Sequence, residues 1–188
     1  MTQTKANYFK YIITILFTLS AIIGTTILYK KIYYENNIQN YKPTRDRQFI
    51  LDLFKKNWYW LTANDQLSPE NILDTSSLTH TDGSHKANLI IKVYLETNQP
   101  IGFIAYYKKQ LYQGYIQFLA VDDQYRGKGY AKKLVQYALD DLKRMGCISI
   151  QILTRMSNSS ARAVYEKAGF KELWSNKEFI EYKKDLEY

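Results

Sequence analysis

The chain has 188 residues, with 26 Lys plus Arg against 18 Asp plus Glu, a net charge of +8 and one cysteine, Cys147. That length holds one domain of ~100–200 residues with an appendage, and 46% apolar with 23% charged residues is the balance of globular protein, not of a disordered chain. A single cysteine excludes a disulfide framework and a cysteine-rich zinc site, and eight glycines with three prolines exclude collagen-like and low-complexity readings.

In chain order, residues 1–10 are a short flank, and Tyr11 to Tyr29 form an uncharged run of about 19 residues, long enough for a helix across a hydrocarbon core of ~30 Å. Lys10, Lys30 and Lys31 bracket it, and tyrosines and Phe9 stand where an aromatic belt would sit. The run therefore predicts a transmembrane anchor over 11–29; a buried core helix and a cleavable signal peptide fit its length and flanks less well. Lys5 and Lys10 precede it, whereas Lys30, Lys31, Lys42, Arg45 and Arg47 follow, so the positive-inside rule predicts a single-pass protein with its C-terminal domain facing the cytoplasm. Residues 1–31 hold four lysines and no acid, leaving a net of +4 elsewhere (22 basic minus 18 acidic), which is no nucleic-acid footprint.

Residues 30–40 read as a polar tether, with a first strand at its end, and 41–188 as the folded domain. An apolar stripe through Phe49, Ile50, Leu53, Phe54 and Trp58 predicts a helix over Arg45 to Trp58. Ser68-Pro69 opens a short helix. Leu89 to Leu95, Ile101 to Tyr107 and Tyr112 to Val121 are strand-like runs. A helix follows from Gly129 to Met145 with its stop at Gly146, then a strand through Ile148, Ile150 and Ile152. A short helix through Ala161, Val164, Tyr165 and Ala168 ends at Gly169, and strands lie around Phe170–Trp174 and Phe179–Lys184. The order predicts a mixed α/β layered fold.

Val121-Asp-Asp-Gln-Tyr-Arg126-Gly127-Lys128-Gly129-Tyr130-Ala131 runs from a strand through a glycine-containing loop into a helix. Such a turn aims backbone N–H groups and the positive end of a helix dipole at one point, which suits a phosphate. Arg126, Lys128, Lys132 and Lys133 add mobile positive charge nearby. Taken alone the spacing is weak, and the bland reading is a turn followed by a solvated helix face.

Two stretches together say more. Arg126-x-x-Gly129-x-Ala131 resembles the acyl-CoA signature of the GNAT superfamily of N-acyltransferases, and Asn158-Ser-Ser-Ala161-Arg-Ala-Val-Tyr165-Glu166-Lys167-Ala-Gly169-Phe170 resembles a second segment of that family. The likeness covers roughly Tyr41 to Leu186. It implies a central, mostly antiparallel twisted sheet flanked by helices, with acetyl-CoA as co-substrate; no metal is expected, because no further His or Cys cluster completes a site. It also implies that the backbone of Leu119, Ala120 and Val121 pairs with the pantetheine arm. By the same likeness Arg126, Gly127, Lys128, Gly129, Tyr130 and Ala131 hold the pyrophosphate, Asn158 faces the pantetheine, and Tyr165 protonates the departing thiolate as general acid. Without the flanking residues Tyr165 reads as a core aromatic.

No general base is assigned: the strand Ile148 to Thr154 has no carboxylate, and Glu96, Asp122 and a water relay stay open. His80-Thr-Asp82-Gly-Ser-His85 offers three ligand-type side chains but reads as a turn. Asn57-Trp58-Tyr59-Trp60 reads as packed core ahead of two alternatives, a lining of the acceptor pocket or a rest on the membrane, and Cys147 reads as a small buried hydrophobe. The expectation is a membrane-anchored N-acetyltransferase moving an acetyl group from acetyl-CoA to an unidentified primary amine, of small molecule or protein, by direct attack. The alternative is a non-catalytic acyl-CoA sensor of the same fold.

Overall fold

Strand-like runs that are apolar on consecutive residues need both sheet faces covered, and that is the arrangement found. The computed structural model describes residues 37–62, 67–75, 77–79 and 86–187, together with Thr25. In chain order the elements are β1 (Ile38–Asn40), α1 (Pro43–Leu61), α2 (Pro69–Thr75), β2 (Ser77–Thr79), β3 (Lys86–Asn88), β4 (Ile90–Glu96), β5 (Gln99–Gln110) and β6 (Gln113–Val121). A single 3-10 turn at Asp123–Tyr125 follows, then α3 (Tyr130–Arg144), β7 (Ser149–Arg155), α4 (Ser159–Lys167), β8 (Lys171–Ser175) and β9 (Phe179–Asp185). β2 and β3 form a separate hairpin; the other seven strands form one sheet in the order β1-β4-β5-β6-β7-β9-β8. Its neighbours are antiparallel except for β6 and β7, which run parallel.

The sheet separates two cores. On one face Ile50, Leu53 and Phe54 of α1 and Ile72 and Leu73 of α2 cover Val93, Phe103, Ala105, Phe118 and Ala120. On the other, Leu134, Val135, Ala138 and Leu142 of α3 cover Ile104, Tyr106, Ile116 and Ile150, with Cys147 buried among them. Tyr106 adds a polar tie by donating to Asp141 Oδ2 at 2.6 Å.

β6 carries a bulge. Ala105 pairs with Phe118 and Tyr106 with Ile116, so Gln117 is the extra residue. It shifts the alternation: Ile116 belongs to the core under α3, whereas Phe118 and Ala120 belong to the core under α1.

The C-terminal ends of α3 and α4 close by the same geometry. At α3, Gly146 N–H donates to Lys143 O and Cys147 N–H to Leu142 O; at α4, Gly169 N–H donates to Glu166 O and Phe170 N–H to Tyr165 O, each at 2.9–3.0 Å. Gly169 holds φ at +85° to make this turn. The next residue, Phe170, packs its ring 6.1 Å from Tyr165.

The single-pass membrane placement is corrected. Among the described residues no helix is long and apolar enough to cross a membrane; α1 has 19 residues but carries Arg45, Asp46, Arg47, Asp52, Lys55 and Lys56. Apart from Thr25, the anchor expected over 11–29 lies outside the described residues, as does the turn His80 to His85. The chain divides into Met1–Asn37 and Ile38–Tyr188, and every element above belongs to the second unit.

Replacing Gly169 by Ala places a side chain at a left-handed φ, at a cost of about 1–2 kcal/mol. The expected result is a melting temperature lower by roughly 2–8 °C for a domain of this size, read by thermal denaturation.

Candidate active site

The parallel pair β6–β7 is short. It runs from Gln113↔Ser149 to Ile116↔Ile152 and stops at the bulge. Beyond it, β6 continues to pair with β5 as far as Val121, and β7 with β9 as far as Arg155. The two strands therefore part, and a cleft of about 740 Å³ opens between Gln117–Val121 and Ile152–Thr154. That volume is in the range of small-molecule sites. Residues from both sheet faces line it, Asn57, Trp60 and Leu61 of α1 on one and α3 and α4 on the other.

At one end lies the glycine loop. Asp122 starts it by accepting Gln124 N–H at 3.0 Å, and the chain turns through Tyr125 into Gly127 and Gly129, with φ of +77° and +82°. A Cβ built on either glycine meets nothing within 4 Å, so the backbone here borders open space. Gly129 is the N-cap of α3 and supplies no side-chain cap; the first closing bond is Lys133 N–H to Gly129 O. The N–H groups of Tyr130, Ala131 and Lys132, all lining the cleft, thus precede the helical ladder. Open space before unpaired N–H groups at the positive end of a helix dipole fits a pyrophosphate.

The basic side chains divide. Lys132 lines the cleft. Lys128 does not, and its ammonium stands 5.1 Å over the Tyr125 ring; that of Lys133 stands 4.9 Å over Tyr130. Arg126 is held, in contrast to the mobile charge expected of it. Its Nε donates to Val121 O at 3.1 Å, its Nη2 to Asn57 Oδ1 at 2.8 Å, and it pairs with Asp123 at 2.7 Å. Arg126 therefore ties the loop to the end of β6 and to α1.

Tyr130 fastens the first residue of α3. Its hydroxyl donates to Glu96 Oε1, and its ring packs edge-on against Tyr94 at 4.9 Å. The bond to Glu96, with burial, pushes the phenol up to about 12. Glu96 is thus an acceptor for Tyr130, and Asp122 stands 3.9 Å from the Lys56 ammonium. Neither carboxylate weighed as a base is among the cleft-lining residues.

Asn158 and Tyr165 sit on the other wall, and α4 explains both. Asn158 caps the helix, its Oδ1 accepting Ala161 N–H at 3.1 Å. Tyr165 lies further along the same helix, 4% exposed, its ring 6.1 Å from both Phe170 and Tyr182. It is at once a core aromatic and a cleft-lining residue. Among the described residues its hydroxyl has no hydrogen-bond partner, and burial, then the nearby Tyr182, raises its pKa above the ordinary 10. Glu166 points away and accepts the Tyr182 hydroxyl at 2.6 Å, locking α4 to β9.

Of the sequence-predicted positions, Leu119, Ala120, Val121, Arg126, Gly127, Gly129, Tyr130, Ala131, Asn158 and Tyr165 come together on this one cleft, and Lys128 does not. The contribution of α1 departs from the packed core expected of Asn57 to Trp60. Asn57 leaves helical geometry at φ −120°, ψ 23°, because its side-chain amide donates to the Leu53 carbonyl at 2.9 Å. The last turn is thereby redirected: Tyr59 and Trp60 are 54% and 42% exposed, and Trp60 and Leu61 face the cleft. The signal was an Asn on the apolar stripe of Ile50, Leu53 and Phe54.

Comparison with known proteins agrees with this geometry. The acetyltransferase (GNAT) family model matches residues 48–170. N-alpha-acetyltransferase 30 of Saccharomyces cerevisiae is 43% identical over 77 residues, 39% of this chain and 44% of that protein. The ribosomal protein bS18-alanine N-acetyltransferase of Escherichia coli is 35% identical over 54 residues, 29% of this chain and 36% of that protein. The chain thus spans less than half the length of these curated relatives. In fold it is similar to Ard1 from Thermoplasma volcanium, with a TM-score of 0.63 and 19% identity over 80% of this chain and 97% of that one. PaiA N-acetyltransferase from Thermoplasma acidophilum, solved in complex with coenzyme A, gives a TM-score of 0.63 at 17% identity, covering 79% of this chain and 98% of that one. A match that spans the glycine loop, the cleft walls and α4 has one meaning: the chain belongs to the GNAT family of acetyltransferases, whose donor is acetyl-CoA.

Proposed function

We propose that the protein is an N-acetyltransferase that moves an acetyl group from acetyl-CoA to a primary amine by direct attack, and that the amine is the N-terminal α-amine of a peptide or protein. One observation carries the first part: the parting of β6 and β7 sets the glycine loop and Tyr165 on a single cleft. The names of the two relatives, an N-alpha-acetyltransferase and a ribosomal-protein-alanine N-acetyltransferase, support the second. An α-amine, with a pKa of ~7.7–8.0 against ~10.4 for lysine, also reaches neutral pH with a far larger uncharged fraction.

The bound thioester supplies an activated acetyl group. Leu119, Ala120 and Val121 offer the free edge of β6 to the extended arm of the donor, as a strand accepts a strand. Gly127, Gly129, Tyr130 and Ala131 turn their backbone to the pyrophosphate, Lys128 adds charge from outside the lining, and Arg126 keeps the loop in place. Asn158 fixes the start of α4 and borders the arm. Tyr165 holds its proton at Oη and delivers it to the departing sulfur. With the donor loop on the α3 side, the mouth beside Trp60 and Leu61 is left for the acceptor.

Calorimetric titration of acetyl-CoA into the full chain tests the donor site, and Gly129→Val, which forces a branched side chain to φ +82°, is expected to weaken binding at least tenfold. No binding by folded wild type would sink the proposal, and binding without turnover on any amine would leave the sensor reading instead.

Tyr165→Phe is expected to lower kcat by about 100-fold with acetyl-CoA affinity kept within about threefold, since the ring contacts remain. Unchanged turnover would remove Tyr165 from the chemistry.

Because the folded phenol titrates above its ordinary 10, the wild-type kcat profile should show no loss from Tyr165 ionisation below that pH. A fall centred at or below about pH 9 that vanishes in Tyr165→Phe would contradict the assignment.

A further inference from the structure

α1 ends without a basic residue in its last turn, so its final carbonyls lack the cation that usually faces a helix C-terminus. Arg155, the last residue of β7, supplies it from another element. Its Nε donates to Tyr59 O at 2.6 Å and its Nη2 to Thr62 O at 3.2 Å. These two carbonyls bracket Trp60 and Leu61, which with Asn57 are the residues of α1 that line the cleft. The guanidinium also lies 4.0 Å from the Tyr59 ring centroid and 5.0 Å from that of Phe179. Its Nη1 pairs with Glu178 at 2.5 Å, in a turn shaped by Asn176 Oδ1 accepting Glu178 and Phe179 N–H groups at 2.8 and 2.7 Å. The side chain is 12% exposed.

One planar, five-donor group thus joins three elements: the end of β7 just past the cleft wall, the last turn of α1 and the turn between β8 and β9. None of these side-chain contacts reaches the glycine loop or α4; the link to α4 is the Arg155 carbonyl, which accepts Asn158 N–H at 2.9 Å and is kept when the side chain is replaced. We infer that Arg155 is a positioning residue for the acceptor: through its guanidinium it fixes the Trp60–Leu61 wall and the β8–β9 turn as one rim, and so sets acceptor affinity, with no side-chain contact to the donor site. This rests on the acceptor entering by the α1 face, as proposed above. A lysine cannot replace it, because a single ammonium cannot span both carbonyls and the carboxylate at once.

The test uses the full chain and a library of decapeptides with free α-amines, randomised at their first two positions. Wild type, Arg155→Ala, Arg155→Lys and the mild Glu178→Gln, whose side chain is 61% exposed, are compared. Expected are a KM for the best peptide raised at least tenfold in Arg155→Ala, nearly as much in Arg155→Lys and about two- to fivefold in Glu178→Gln. The acetyl-CoA dissociation constant should stay within twofold throughout, and amide exchange should quicken at both Trp60–Leu61 and 176–178 in Arg155→Ala. An unchanged peptide KM in all three variants, or an equal loss of donor affinity, overturns the assignment. A wild type that binds acetyl-CoA but acetylates no peptide overturns the acceptor reading itself, and the role of Arg155 falls with it.

Discussion

Everything distinctive about this molecule depends on two parallel strands that pair over four residues and then separate. A bulge at Gln117 ends the ladder, and antiparallel partners on the outer sides, β5 for β6 and β9 for β7, keep each strand extended after the parting. Inside a sheet the backbone polar groups are normally all spent. Here a strand edge that has parted from its neighbour, met at Val121 O by Arg126, lies at the centre of the sheet between two cores. The opening passes through the sheet, so helices from opposite faces border a single cleft.

The polar contacts around that cleft hold its walls. Arg126 binds the loop to β6 and α1, Glu96 holds Tyr130 at the first turn of α3, Glu166 holds Tyr182 beside α4, and Arg155 joins α1 to the β8–β9 turn. Each is a charged group that accepts from or donates to a neutral partner on a different element, an arrangement stronger than an exposed ion pair because the partner is fixed by packing. Charges that look available in a linear reading are in this way largely committed. What remains directed at the cleft is mostly backbone: the turn at Gly127 and Gly129, the first N–H groups of α3 and the free edge of β6.

The segment from Asn158 to Phe170 shows how tightly local chemistry and tertiary placement are coupled. Asn158 starts α4 by capping it, Gly169 ends it with a left-handed turn, and Phe170, placed by that turn, packs on Tyr165. Cap, stop and ring contact lie within one short stretch of chain, yet together they set one phenol at the border between core and cleft. The raised pKa of Tyr165 follows from the same burial that makes it a core residue. Core aromatic and site residue are one description here.

Periodicity and turn chemistry in the sequence determined most of the architecture: the stripes of α1 and α3, the stops at Gly146 and Gly169, the strand runs, and the loop that opens α3. These are local effects, decided by neighbours three or four residues apart, so a linear string carries them. Two spaced stretches also carried the resemblance to the GNAT family, and it was that resemblance which pointed to the residues that meet at the loop and on α4, Lys128 excepted. Tertiary structure alone decided the rest. The kink at Asn57 that turns Trp60 and Leu61 inward depends on a side chain competing for Leu53 O and then meeting Arg126, 69 positions away. The binding of Arg155 to the Tyr59 carbonyl joins residues 96 apart, and Glu96 became an acceptor for Tyr130 only when β4 was laid beside α3. The bulge at Gln117 shows itself only against β5. Apart from the local bond of Asn57 to Leu53 O, the deciding contacts are between atoms that chain distance does not relate, and only packing brings them together.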